Sequence, residues 1–319
     1  MGSADANANA DTAAAAVPPW PGGAAWIDGT YCPVEEARIS VLDLGVTRSD
    51  AAYDVVHVWE GRFYRLDAHL DRFTASLARL RLDPGHGRAE IEAFLHGCVR
   101  RAGLRDAYVS MTCTRGRLAP GSRDLRTARN TFYCYAVPFV WISSPAQQAA
   151  GASMKISQIT RIPPQSLDPS VKNYHWLDLD LALLDAYDDD ADLVVLRDLS
   201  GLITEGPGFN VFAYVDGRWL TPASGTLRGI TRRSVIELAA EGGQPACEGR
   251  LTAEDLRRAA EILVTSTAGG IMPVTVIDGQ PVGSGEPGPQ TRQLREQYWA
   301  SHADPRYSTA VRYDETGEQ

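Results

Sequence analysis

Five times in this chain an apolar run breaks at an acidic or hydroxyl-bearing residue followed by glycine, and then resumes. The breaks are Asp28-Gly29, Glu60-Gly61, Ser200-Gly201, Asp216-Gly217 and Asp278-Gly279. Such pairs supply the positive φ angles of tight turns, so each predicts two strands meeting in a hairpin. Sheet joined by hairpins is therefore the frame into which the helices must fit.

The first helix is written in "LDAHLDRFTASLARL". Leu66, Leu70, Phe73, Leu77 and Leu80 recur at four- and three-residue steps, the spacing of one helix face. Asp67 is its expected N-cap. A second helix is expected over about 88–102, followed by the strands "DAYVSMTCTRG" and "NTFYCYAVPFV". These make a small α/β domain over 24–140. "ISSPAQQAAGA" reads as an interdomain linker over 141–150. A larger domain follows over 151–319, with strand 153–160, a helix over about 174–187, further hairpins, the helix "GITRRSVIELAAEGG" and the last helix "PQTRQLREQYWAS". Residues 1–23, rich in alanine and lacking a basic start, read as a disordered tail and not as a secretory signal.

A net charge of −9 and a pI near 5.2 leave no basic tract to neutralise phosphates, which argues against nucleic acid as a partner. No apolar run reaches the length of a membrane span. Five scattered cysteines, an odd number without a CxxC pair, fit a reducing cytoplasm. The six histidines show no metal-ligand spacing. "GSGEPG" over 283–288 matches a dinucleotide pattern in letters only. A hairpin precedes it and Pro287 interrupts it.

The chain writes arginine almost everywhere, yet keeps two lysines, Lys155 and Lys172. Lysine can lose its proton when desolvated and act as a nucleophilic amine; arginine cannot. Lys155 sits in the alternating run "ASMKISQIT" and reads as a solvent-facing strand residue. Lys172, in "SVKNYHW", is the candidate for amine chemistry. A glycine opens the helix at Ile230-Thr231, where free backbone N–H groups and the Thr231 hydroxyl can receive an anion. "TSTAGGIMPV" adds hydroxyls and a glycine loop that a ligand can approach closely. In "ITEGPGFNVF" Glu205 is either a surface turn residue or an acid positioned by the unusual path of Glu-Gly-Pro-Gly. A lysine, an anion site and a positioned carboxylate together match what pyridoxal phosphate requires.

On these stretches the chain resembles the fold-type IV pyridoxal-phosphate aminotransferases, the family of branched-chain and D-amino-acid aminotransferases. Within it the resemblance is closest to (R)-selective amine transaminases. It is carried by "SDAAYDVVHVWEGRFYRLDAHLDR" (49–72), "DPSVKNYHW" (168–176), "TEGPGFNV" (204–211), "LRGITRRSV" (227–235) and "TSTAGGIMPV" (265–274). The resemblance implies a small α/β domain beside a larger, barrel-like cofactor domain, and a cytoplasmic homodimer in which loops of one subunit finish the pocket of the other. It implies a ping-pong exchange between an (R)-amine or a D- or branched-chain-type amino acid and a pyruvate-like 2-oxo acid. Lys172 would form the Schiff base with pyridoxal 5′-phosphate. Glu205 would pair with the pyridine nitrogen. Arg72, the Ile230 and Thr231 amides and the Thr267 hydroxyl would hold the phosphate. Arg72 lies off the apolar stripe of its helix, so spacing alone reads it as a surface residue. Tyr53, Val55, Trp176, Ala268 and Gly270 would line the substrate pocket.

Two positions depart from the amine-transaminase pattern. Arg48 stands where many such enzymes carry histidine, and its fork suits a carboxylate at the pocket mouth. In the loop "RGRLAPGSRDLR", Gly121 falls where relatives use a mobile arginine; Arg117 or Arg123 could substitute. Other readings of the same residues are a branched-chain or D-amino-acid aminotransferase proper, a lyase of the aminodeoxychorismate lyase type, and a catalytically silent binding protein. Val55, where lyases favour threonine, speaks against the lyase.

Overall fold

The computed structural model describes residues 20–314. Of the tail expected over 1–23, residues 1–19 lie outside the described part. Two sheets organise the chain.

The first sheet begins with the hairpin β1 (Ala24–Ile27) and β2 (Thr30–Pro33), turning at Asp28-Gly29. A short helix, α1 (Leu44–Arg48), leads into β3 (Ala51–Trp59) and β4 (Arg62–Tyr64). Helices α2 (Leu66–Leu80) and α3 (Arg88–Ala102) then pack on one face, and β5 (Ala107–Arg117) and β6 (Arg129–Pro138) complete the central strands. The apolar stripe of α2 does what its spacing predicts: Leu66, Leu70, Phe73 and Leu77 are buried with Val56, Val58, Ile91, Leu95 and Val109 in one core. The helix does not use Asp67 as its cap. It starts at Leu66, and Arg65, at φ 53°, precedes it with its N–H bonded to Tyr307 O. Asp67 therefore falls inside the first turn, where its charge faces the positive end of the helix.

Residues 141–150, read as the interdomain linker, contain helix α4 (Pro145–Ala150). Ser144 and Gln147 cap it reciprocally, and Pro145 stands in its first turn. The second sheet has nine strands and curls into a half-barrel. Its strands are β7 (Ala152–Thr160), β8 (Leu193–Arg197), β9 (Glu205–Gly206), β10 (Phe209–Val215), β11 (Arg218–Pro222), β12 (Cys247–Gly249), β13 (Glu261–Ser266), β14 (Gly270–Ile277) and β15 (Gln280–Pro281). Helices α5 (Leu177–Asp188), α6 (Ile230–Glu241), α7 (Ala253–Arg257) and α8 (Pro289–Ala300) are interleaved with them. The last strand, β16 (Ser308–Ala310), leaves this half and pairs with β4 at the edge of the first sheet.

The first sheet is antiparallel throughout, in the order β16-β4-β3-β5-β6-β1-β2. The second is mixed, with β14, β7 and β8 running parallel. Four of the five expected turns carry positive φ at both residues: Asp28-Gly29, Glu60-Gly61, Asp216-Gly217 and Asp278-Gly279. At Ser200-Gly201 only the glycine does, and the Asp198 side chain closes that turn.

Candidate active site

The segment around Lys172 is pinned to the first sheet and its helix. Tyr53 N donates to Lys172 O at 3.1 Å, and Lys172 N donates to Ser76 Oγ at 3.2 Å. Asn173 bridges to Ala52, so the helix expected from 174 starts only at Leu177, with Trp176 as its N-cap residue. The Lys172 side chain enters a cavity between the two sheets. Its Nζ donates to Tyr53 Oη at 3.3 Å and lies 4.4 Å from the centre of that ring. Burial, and then the Arg72 charge, push this amine down to about 8, although Asp54 and Glu205 pull the other way. Lys155 is different. It sits on β7, partly exposed, in an ion pair with Asp189.

At one end of the cavity stands Arg72. Asp54, fully buried on β3, accepts from Arg72 Nε at 2.7 Å and Nη2 at 2.8 Å. The same carboxylate accepts from His69 Nδ1 at 2.8 Å and from Val55 N at 2.7 Å. Burial alone would raise this acid, but the Arg72 charge and these hydrogen bonds hold it well below the usual carboxylate range. The guanidinium is thereby fixed with one edge used. Its Nη1 faces Arg228 O at 3.2 Å, close to the start of α6. Helix α6 opens at Gly229 without a side-chain cap. A Cβ on Gly229 would lie 2.2 Å from Asn210 Oδ1, and Asn210 holds the approach by donating to Thr226 Oγ1 and Leu227 O. Gly229, Ile230, Thr231 and Thr267 line the same cavity as Arg72. So does Thr265, whose buried hydroxyl has no partner among the described residues.

At the other end is Glu205, at the start of β9. One oxygen accepts from Leu227 N at 2.8 Å and Thr226 Oγ1 at 3.0 Å; the other accepts from Arg161 Nε at 3.1 Å. Arg161 in turn holds Asp178 of α5 through Nη1, at 2.7 and 3.0 Å. Tyr53, Val55, Trp176 and Ala268 line the cavity between the two ends. Burial raises the Tyr53 phenol well above its ordinary value, so it stays a neutral hydrogen-bonding group.

The structure thus brings together Lys172, Arg72, Glu205, Ile230, Thr231, Thr267, Tyr53, Val55, Trp176 and Ala268. Gly270, expected beside Ala268, opens β14 outside the cavity. Arg48 also lies elsewhere, exposed at the end of α1, outside the cavity of its own chain. Asp50, the acid nearest to it in sequence, is held by Arg115 at 3.0 and 3.1 Å. Arg117 and Arg123 are outside the cavity as well. Asp54, Arg161 and Asp178 escaped the sequence reading. The one signal was an aspartate inside the otherwise apolar run of β3.

A half-buried amine of lowered proton affinity, an uncapped helix end beside an arginine and a carboxylate across the cavity are groups that a phosphate-bearing carbonyl compound could use. The amino-transferase class IV profile matches residues 51–277, and the chain belongs to that family of transaminases. A putative branched-chain-amino-acid aminotransferase of Methanocaldococcus jannaschii is 31% identical over 275 residues, covering 86% of this chain and 94% of the relative. A D-alanine aminotransferase of Bacillus licheniformis is 30% identical over 274 residues, covering 84% and 93%. The crystal structure of the branched-chain amino acid aminotransferase from Thermobaculum terrenum, in its PLP form, superposes with a TM-score of 0.82 at 26% identity, over 92% of this chain and 99% of that one.

Proposed function

We propose that this aminotransferase moves an amino group from an (R)-configured amine, or from a D- or branched-chain-type amino acid, to a pyruvate-like 2-oxo acid. The cofactor is pyridoxal 5′-phosphate. The residues present fit it: Thr265 with its unpartnered hydroxyl, the uncapped start of α6 and Arg72 line one cavity, as a phosphate site requires. When bound, the cofactor supplies a carbonyl carbon that can carry an amino group and a ring that takes up electron density. Lys172 is the amine positioned to join that carbonyl and to move a proton at Nζ, and its lowered proton affinity suits both steps near neutral pH. Tyr53 orients Nζ. Glu205 faces the ring end as a carboxylate satisfied on both oxygens.

The observation that carries this reading is Lys172 Nζ, half-buried in one cavity with Arg72 and Glu205 and bonded to Tyr53, with no ion-paired carboxylate among the described residues. Among the described residues lining the cavity, Arg72 and Arg161 are the arginines, and both are engaged by acids. The 2-oxo acid acceptor carries a carboxylate whatever the donor, so a cation for it would have to come from outside this lining. A homodimer is part of the reading. Val41, Leu42 and Val46 beside Arg48 are 77%, 70% and 56% exposed, an apolar patch suited to a second copy. A carboxylate-bearing substrate would then meet Arg48 of the partner subunit. No helix among the described residues is long and apolar enough to cross a membrane, and a cytoplasmic location is supported by the free state of Cys32, Cys98, Cys113, Cys134 and Cys247. A donor panel with pyruvate as acceptor tests the assignment: alanine must accumulate with at least one (R)-amine, D-amino acid or branched-chain amino acid. Release of pyruvate from aminodeoxychorismate without amino transfer would favour the lyase instead.

A further inference from the structure

Arg161 touches two carboxylates, and the mechanism above uses only one. Arg161 Nε donates to Glu205, which faces the ring end of the cavity, while Nη1 donates to both oxygens of Asp178. The side chains of Arg161 and Asp178 are each 11% exposed and that of Glu205 is 8% exposed. Charges in so dry a place are counted together, because solvent screens them weakly.

Glu205 and Arg161 alone would sum to zero. A neutral pair has little hold on a proton placed beside it. Asp178 makes the sum −1, and a protonated ring nitrogen would bring it to zero. We propose that Asp178 is a positioning residue that sets the charge at Glu205, so that the cavity holds a pyridine ring in its protonated form. The proposal rests on the cofactor reading above and extends it to a residue two contacts away from the ring.

The surrounding charges do not supply this balance. Lys172 stands across the cavity, and Arg72 at its far end is already balanced by Asp54. Asp180 also lines the cavity from α5, but it stands outside the chain of contacts that links Glu205, Arg161 and Asp178. The Arg197 guanidinium is turned away onto Ser157 O and Gln158 Oε1. Asp178 has an architectural role too. It accepts from Ile162 N at 2.8 Å and so ties the start of α5 to the strand end that carries Arg161. The test must separate that role from the electrostatic one.

The two roles differ in sign. Loss of an architectural tie at either residue would loosen the site and shift any readout the same way. Loss of charge would act in opposite directions, since Asp178→Asn removes a negative charge and Arg161→Gln a positive one. The probe is 4-deoxypyridoxine 5′-phosphate, which has the ring and the phosphate but no aldehyde for Lys172. Bound to the cofactor-free protein, its absorption reports whether the ring nitrogen carries a proton. The expected result is that Asp178→Asn lowers the pH at which the bound ring loses that proton by about one unit, a tenfold weaker hold, and Arg161→Gln raises it. Asp178→Glu, which keeps the charge, should restore the wild-type titration. Shifts of the same sign in both variants, or an Asp178→Asn titration that overlays the wild type, would overturn the proposal. Failure of the wild-type protein to bind the probe would instead remove the cofactor reading on which it stands.

Discussion

The two ends of the cavity use the same ingredients in inverted ratio. At the end proposed for the phosphate one carboxylate, Asp54, grips one arginine, Arg72, and the pair sums to zero. At the end proposed for the ring one arginine, Arg161, is shared by two carboxylates, Glu205 and Asp178. In the proposed reading the first arrangement would meet the phosphate beside the N–H groups of an uncapped helix, and the second would leave a surplus negative charge for a proton. Lys172 sits between them, and its amine is driven down by burial and by the cation at one end, and partly restored by the acids.

The contrast can be broken most completely at its midpoint. Lys172→Ala and Lys172→Arg should both abolish transfer while the fold survives, since arginine cannot form the Schiff base. Wild-type turnover in either variant would remove the site from the account. Next in size is Asp54→Ala. It strands Arg72 and His69 in a dry place, so unfolding by denaturant should show a loss of about 3–5 kcal/mol. If stability is untouched, the Asp54 to Arg72 pair is not the fixed point described. Arg72→Ala strands the buried Asp54 carboxylate and so should also lower stability, and cofactor affinity should fall by about 1.5–3 kcal/mol, the range for hydrogen bonds to charged groups.

A smaller effect follows from pH. The Lys172 amine is held near 8, below its ordinary 10.5. Between those values the unfolded chain binds the extra proton, so the cofactor-free protein should gain stability as pH rises through that window. The rate at which the apoprotein captures pyridoxal 5′-phosphate should climb below about 8 and level off above it. A profile that keeps climbing to the ordinary lysine value would show an amine not tuned by its neighbours. The smallest effect is expected at Arg48. Arg48→His should shift kcat/KM toward uncharged amines over matched carboxylate-bearing ones by about fivefold, or about 1 kcal/mol. A constant ratio would leave Arg48 a surface residue.

Much of this was legible in the sequence where the physics is local. The hairpin turns announce themselves because only a few residue types accept positive φ, and the α2 stripe because a helix face repeats. Lys172 stood out against an arginine background. The rest depends on contacts across long sequence distances. Asp54 meets Arg72 18 residues on, and Arg161 meets Glu205 44 residues on. Helical periodicity put Arg72 on a polar face, correctly, but could not say that this face turns toward a second sheet instead of water. Asp178 stands in the first turn of α5, where an acid is common, so nothing local marks it. Arg65, left-handed and bonded through its N–H to Tyr307 O, stands before α2, so the helix starts ahead of the aspartate that local rules favour.

The central claim is that one half-buried amine, Lys172, receives the cofactor between these two ends. The chain has only two lysines, so the claim can be read from a single map. The purified protein is loaded with pyridoxal 5′-phosphate, reduced with borohydride and digested, and the phosphopyridoxyl group is located by mass spectrometry. One label is predicted, on the peptide that carries Lys172, and none on Lys155, whose amine is tied to Asp189. A label on Lys155 alone, or no stable label on either lysine, would contradict the claim.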